Sequence, residues 1–344
     1  MMTRILFALP CVLLLAAGCA PQSTDSLTFK RGVQILGAGS PRSAIPLFTQ
    51  VIGSIPDGPE PHAMLALAFA LDFQPEQAYI QARVADGKRK KDDRPGWECV
   101  AMGIADLSRH QPQEAERHFA RILRTAPATA GIRHSAAQWM VLTLLLKADT
   151  GKALELLAQE SSGEARPCSS TAPLLWSVLV SGHEGNKDLA AKALKAVADN
   201  LAGAGKQTQG TKDLSACSEA ELREVGARAV RENQLARARD VFAAMRTRNP
   251  TSGEAILWSA LVSAAMGDWH EARRGLDAAC QVGPRASQSL ANHLTGVAAA
   301  FENDPRKMIG HILTGQRLSA TNQGSIAKPA IATSEKVWLS DKLH

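Results

Sequence analysis

The sequence predicts an all-α chain built from stacked helix pairs, and three observations lead there. Aromatic residues are only 4% of the 344, whereas β sandwiches and barrels draw on aromatic and β-branched side chains. A similar pattern returns every 34 to 48 residues along the chain, and a fixed period in this range marks a solenoid. Within each period the apolar residues recur at helical spacing, not at the alternation of a strand. With 45% hydrophobic and 21% charged residues, the chain has enough apolar surface for a core. It is not wholly disordered or fibrous.

The first residues stand apart from that fold. Met1 to Arg4 is a short basic start, Ile5 to Ala17 is an apolar run interrupted by Pro10, and Ala16, Ala17 and Gly18 lead into Cys19. This layout is that of a secretory signal. The run is 13 residues long, short of the roughly 17 to 25 that span a bilayer. Leu15-Ala16-Ala17-Gly18-Cys19 resembles the bacterial lipoprotein signal box, although Ala16 stands three places before the Cys and Leu15 one place earlier than usual. The resemblance implies cleavage after residue 18, acyl chains such as palmitate on Cys19, and a stable anchor, which needs two or more chains. A conventionally cleaved signal, with Cys19 an ordinary residue, is the alternative. Ala20 in place of Asp after the Cys implies, by the same resemblance, a periplasm-facing position on the outer membrane.

Seven alanines mark the period: Ala44, Ala78, Ala115, Ala153, Ala190, Ala238 and Ala272. Four residues after each comes Phe48, Ala82, Phe119, Leu157, Leu194, Phe242 or Leu276, one helical turn on along the same face. Twelve before each comes Gly32, Ala66, Gly103, Val141, Val178, Gly226 or Ala260, mostly small enough for two helices to approach closely. Twelve after, Pro56, Pro127, Pro250 and Pro284 stop the second helix in four units. First helices such as Ala63–Phe73 and Trp97–Leu107 are apolar nearly all round, so they are expected inside. Second helices such as Pro112–Arg124 carry Ala115, Phe119 and Ile122 on one face and Glu116, Arg117 and Arg121 on the other. Ser218 with Glu221 forms a capping-box start for unit six.

These residues resemble the tetratricopeptide repeat, a helix–turn–helix unit of 34 residues with a small–Ala–aromatic–Pro skeleton. The likeness covers residues 28 to 313, is strongest over Leu222 to Pro284, and fades in a last unit where Arg306 and Gly310 replace the expected residues. It implies a right-handed α-solenoid of seven to eight helix pairs. The expected organisation is a signal over 1–18, a lipidated linker over 19–27, repeats over 28–202, a flexible insertion over 203–217, repeats and cap over 218–313, and a disordered tail over 314–344. The insertion, rich in Gly, Gln, Lys and Thr, is a candidate joint between two halves. Lys88 to Pro95 is a long charged connection, expected as a solvated loop with anionic lipid headgroups as the sharper alternative.

No motif for chemistry emerges. Gly203-Ala204-Gly205-Lys206-Gln207-Thr208 lacks both the first Gly and the Ser or Thr of a phosphate loop. His183-Glu184 lacks a second His, no Cys-x-x-Cys pair occurs, and the nine His fall mostly at loops or helix ends with none three or four residues from another. We therefore expect no enzyme, cofactor, metal or small-molecule substrate. The formal charge of +6 raises nucleic-acid binding, but a secreted chain with core-like aromatics argues against it. Cys99 and Cys280 lie within helices and are expected as buried, inert thiols. Cys168 and Cys217 precede the first helices of units five and six. A disulfide between them requires flexible flanks to bring their α-carbons within ~7 Å.

The repeat resemblance also implies a partner site, because the family's first helices line a concave surface. In the first three units that lining includes Phe29, Val33 and Leu36, then Leu67 with Ala63 and Ala70, then Trp97, Val100, Ile104 and Leu107. It suits an apolar or amphipathic segment of a protein partner, held by helix-in-groove recognition with Trp97 as central anchor. Packing between repeats is the alternative for these side chains. The expected role is a membrane-tethered scaffold for assembly of an envelope machine such as a pilus or secretion system, generically similar to pilotin and tight-adherence pilus lipoproteins. Regulation of a periplasmic enzyme such as a cell-wall synthase is the second expectation.

Overall fold

A computed structural model describes residues 24–89, 95–127, 131–162, 171–202, 214 and 217–322. Among these residues there are sixteen α-helices and no strand. They form eight consecutive pairs: α1 (Thr24–Gly37) with α2 (Pro41–Ser54), α3 (Pro59–Leu71) with α4 (Pro75–Lys88), α5 (Trp97–Ser108) with α6 (Pro112–Thr125), and α7 (Gly131–Leu146) with α8 (Thr150–Ser162). The second half continues with α9 (Thr171–His183) and α10 (Lys187–Ala202), α11 (Glu219–Arg231) and α12 (Leu235–Arg248), α13 (Gly253–Ala265) and α14 (Trp269–Gln281), then α15 (Arg285–Phe301) and α16 (Pro305–Asn322). Each helix packs on the next. The chain is an α-solenoid of tetratricopeptide-like helix–turn–helix repeats.

Local chemistry sets the helix ends. Proline opens α2, α3, α4 and α6, where its missing N–H leaves nothing unpaired and its fixed φ suits the first turn. Ser218 caps α11 in a reciprocal capping box with Glu221, as the sequence predicts. Every pair then turns by the same device. Gly39, Phe73, His110, Ala148, Gly185, Asn233, Gly267 and Asn303 each adopt φ between 55° and 82°. In each case the next N–H reaches back five residues to a carbonyl, as from Gln111 to Asp106 (2.9 Å) or Asn186 to Ser181 (2.8 Å). This closes the orphan carbonyls at the end of a helix.

Behind the turns, the small residue of each first helix meets the large one of its partner. A β-carbon on Gly103 would lie 2.5 Å from Phe119, one on Gly226 2.6 Å from Phe242, and one on Gly32 2.8 Å from Phe48. All seven marker alanines are completely buried. In the eighth pair the equivalent place, the fourth residue of α16, is Met308 and not Arg306 two residues earlier, and Met308 is equally buried.

The stack closes on itself. Helix α15 packs on α7 and α9, α16 touches α5, and Gly39 in the first turn abuts the backbone of Leu313. The eighth pair thus reaches back to the inner sides of units one, three, four and five. Three expectations change accordingly. The first helix starts at Thr24, within the stretch expected to be linker. Helix α16 runs to Asn322, so residues 314–322 are helical and not tail, because Met308, Ile309, Ile312 and Leu313 are buried against the rest of the stack. Across the insertion, α9 and α10 both pack on α13, and Gly182 lies directly against Ala264. The two halves are therefore in direct contact.

Candidate partner-binding surface

The structure buries most of the expected groove. Leu36, Val100, Ile104 and Leu107 are 0% exposed and Leu67 is 2% exposed, all inside one continuous apolar core. This corrects the expectation that they line an open channel. The first helices are apolar all round because neighbouring repeats cover their sides and the returning eighth pair covers the inner faces of units three to five. Phe29, Val33 and Trp97 remain half-buried. Phe29 packs edge-on against Phe48, with ring centroids 5.8 Å apart.

Trp97 opens α5, on the edge of the stack where first helices start, while Phe29 and Val33 lie further along α1. At the same edge in units six to eight there is an open cleft of about 590 Å³ where α11, α13 and α15 begin. Its walls include Glu219, Arg223, Ser252, Glu254 and Ser287. Arg223 Nε lies 3.0 Å from Glu254 Oε1, and burial raises the Glu254 carboxyl above its ordinary range against the pull of Arg223. Ser252 accepts from the Ala255 N–H and donates to Glu219. The helix starts and Arg223 favour negative charge and the two carboxylates oppose it. The cleft therefore suits a neutral hydrogen-bonding group such as a peptide backbone better than a bare anion.

Two buried polar clusters join units two and three. Tyr79 on α4 donates to Asp106 on α5, which is 1% exposed; His118 Nε2 on α6 lies 3.5 Å from the other Asp106 oxygen, and Arg109 stacks over the Tyr79 ring at 4.8 Å. Burial is the main force raising Tyr79 and Asp106 and lowering His118. Glu98, 0% exposed, is held by Arg89 at 3.1 Å and accepts from the Gly96 N–H at 2.6 Å. Arg89 thus turns inward and Lys88 pairs with Asp57 at 3.2 Å, so these two cations of the connection expected as a solvated loop are held by the protein itself. Residues 90–94 lie outside the described residues. Both clusters knit adjacent repeats together.

Five of the eight described histidines fall in a turn or in the first or last turn of a helix, as expected, while His118, His293 and His311 lie in helix interiors, and His293 at the middle of α15 is 2% exposed. Its apolar surroundings in space, invisible to a reading along the chain, lower its pKa to about 4. Among the described residues no group of three or more His, Cys, Asp or Glu could hold a metal ion, and no helix is long and apolar enough to cross a membrane. Burial raises the Cys99 thiol to about 12 and raises Cys280 as well. Cys217 is buried; its candidate partner Cys168 and the lipidation candidate Cys19 lie outside the described residues.

No family model matches the chain, and no curated protein matches it. Solved structures with a similar course include yeast Tom70, at 11% identity and TM-score 0.44 over 97% of this chain and 73% of that one. The APC/C hetero-tetramer Cut9-Hcn1 aligns at 11% identity and TM-score 0.39 over 87% of this chain and 55% of that one. The human IFIT1 dimer with PPP-AAAA aligns at 16% and 0.38 over 88% and 63%. This chain spans less than two thirds of the latter two. At such scores the fold assignment rests on the repeating turns and packing described above.

Proposed function

We propose that the chain is a lipid-tethered protein-interaction scaffold, anchored through Cys19 to the periplasmic face of the outer membrane, that aids assembly of an envelope machine such as a pilus or secretion system. The observation that carries the scaffold reading is the architecture. Eight stacked pairs put most of their apolar residues into holding a long surface in shape, and repeat solenoids use such surfaces for extended contacts with other chains. The partner presents an apolar or amphipathic segment to Phe29, Val33 and Trp97, the members of the expected lining that solvent still reaches.

The tether and the scaffold are tested separately. Cys19→Ser abolishes acyl-label incorporation and releases the protein from membranes; unchanged labelling contradicts the anchor. Crosslinking in intact envelopes followed by identification of the captured chain tests the scaffold. Recovery of components of one assembly machine is the expected result, and recovery of a cell-wall synthase instead supports enzyme regulation.

A further inference from the structure

Where the returning eighth pair meets units four and five, there is a cavity of about 20 Å³, measured as the space open to the centre of a water molecule. Leu142, Trp139 and Ile312 supply apolar walls, and Gln138 on α7, Trp176 on α9 and His293 on α15 supply the polar groups. All three of those residues carry an inaccessible polar atom with no hydrogen-bond partner: Gln138 Oε1, Trp176 Nε1 and His293 Nε2. His293 and Trp176 are 2% and 5% exposed. Buried polar groups are almost always paired, with protein or with ordered water. The residues that carry these three orphans all line this cavity, and Gln138 and Trp176 also line a second of about 20 Å³ with His134 and Glu160; one partner in the shared cavity accounts for all three.

Their donor and acceptor characters are fixed by their other bonds. The Ser289 carbonyl accepts from His293 Nδ1 at 2.8 Å, so the neutral ring leaves Nε2 as a bare acceptor. His134 Nδ1 donates to the Glu160 carboxylate at 3.2 Å, so in the neutral ring Nε2 accepts from the Gln138 amide nitrogen at 3.2 Å and Gln138 Oε1 is the acceptor at the other end. Indole Nε1–H is a donor only. The cavity wall thus offers one donor and two acceptors. A molecule that accepts one hydrogen bond and donates two completes the set, and the volume admits something the size of a water.

We propose that this cavity is a built water site, in which one ordered water accepts from Trp176 Nε1–H and donates to His293 Nε2 and Gln138 Oε1, bridging the eighth helix pair to units four and five. An anion would find one donor and two repelling acceptors. A larger ligand would not fit. The water joins α7, α9 and α15 at the contact that closes the solenoid, so it acts as a polar latch there.

In the unmodified full chain, the Trp176 indole N–H should show a magnetisation-transfer peak to a long-lived water, and a crystal structure that resolves ordered water should place one within hydrogen-bond distance of all three atoms. An empty cavity, or side chains rearranged to bond one another, overturns the proposal. Trp176→Phe and Gln138→Met provide an independent check. Each should raise the unfolding equilibrium constant roughly 5- to 30-fold, the range produced by losing one buried partner. Because both break the same bridge, the double variant should lose little more than the worse single. Fully additive losses, or none, overturn it.

Discussion

Gly103 on α5 lies against the ring of Phe119 on α6 so closely that a β-carbon would sit 2.5 Å from Cζ. The same pairing joins Gly32 to Phe48 and Gly226 to Phe242. It is the contact that sets how near the two helices of a repeat approach. Gly103→Ala should therefore destabilise by about 1–3 kcal/mol through overpacking. Gly310, inside α16 with open space where its β-carbon would be, should do the opposite, with Gly310→Ala stabilising by about 1 kcal/mol. Denaturant unfolding of the two variants checks both signs.

Ala148 holds φ 56° in the turn between α7 and α8 and is exposed. An L-residue pays roughly 1–2 kcal/mol for that left-handed conformation, which glycine adopts freely. Ala148→Gly should raise stability, although glycine's looser unfolded state reduces the gain to about 0.5–1 kcal/mol. A fall in melting temperature would contradict the turn geometry.

His293 gives the chain an acid-sensitive core. Burial lowers its pKa to about 4, whereas in the unfolded chain it takes up its proton near 6.5. Between those values the unfolded state binds more protons, so stability falls as pH drops from 6.5 towards 4, by about 3 kcal/mol from this group. His118 and His311 are also lowered and act with the same sign. Asp106, raised by burial, acts against them. Urea midpoints measured from pH 7 to 4 should decline, and His293→Gln should flatten the decline.

Cys99, its thiol pushed up to about 12 by burial, should resist alkylation at neutral pH in the folded chain and react once unfolded. Rapid labelling of the native protein at Cys99 would place that residue outside the core. Mass spectrometry of unreduced peptides tests the Cys168–Cys217 disulfide directly, and two free thiols rule it out.

The repeat was legible because a single chemical requirement recurs. Ala44 and its successors must be small where helices cross, and Gly103 or Gly226 must be small where a ring packs, so composition at fixed offsets records the contact. The eighth pair was harder to see because Met308 fills the alanine's place, so the period appears to end before α16 does. The left-handed turn residues were hidden by their variety: Phe73, His110 and Ala148 adopt a conformation usually marked by Gly or Asn. Closure was not legible at all. It depends on curvature accumulated over the whole stack, which no local spacing encodes. For that reason Ile104 and Leu107, in the unit that α16 touches, fitted a groove and a core equally well along the chain, while Leu67 is buried among its neighbouring repeats.

We propose that partners dock on the half-buried Phe29, Val33 and Trp97 while the deeper lining is core. It is tested by comparing envelope crosslinking and melting temperature for Phe29→Ala with Trp97→Ala, as a double variant, against Leu107→Glu. The double variant should stay folded and lose its crosslinked partner, and Leu107→Glu should unfold, since it puts a charge at a fully buried position. Undiminished crosslinking in the folded double variant, or a stable Leu107→Glu chain that alone loses its partner, would contradict it.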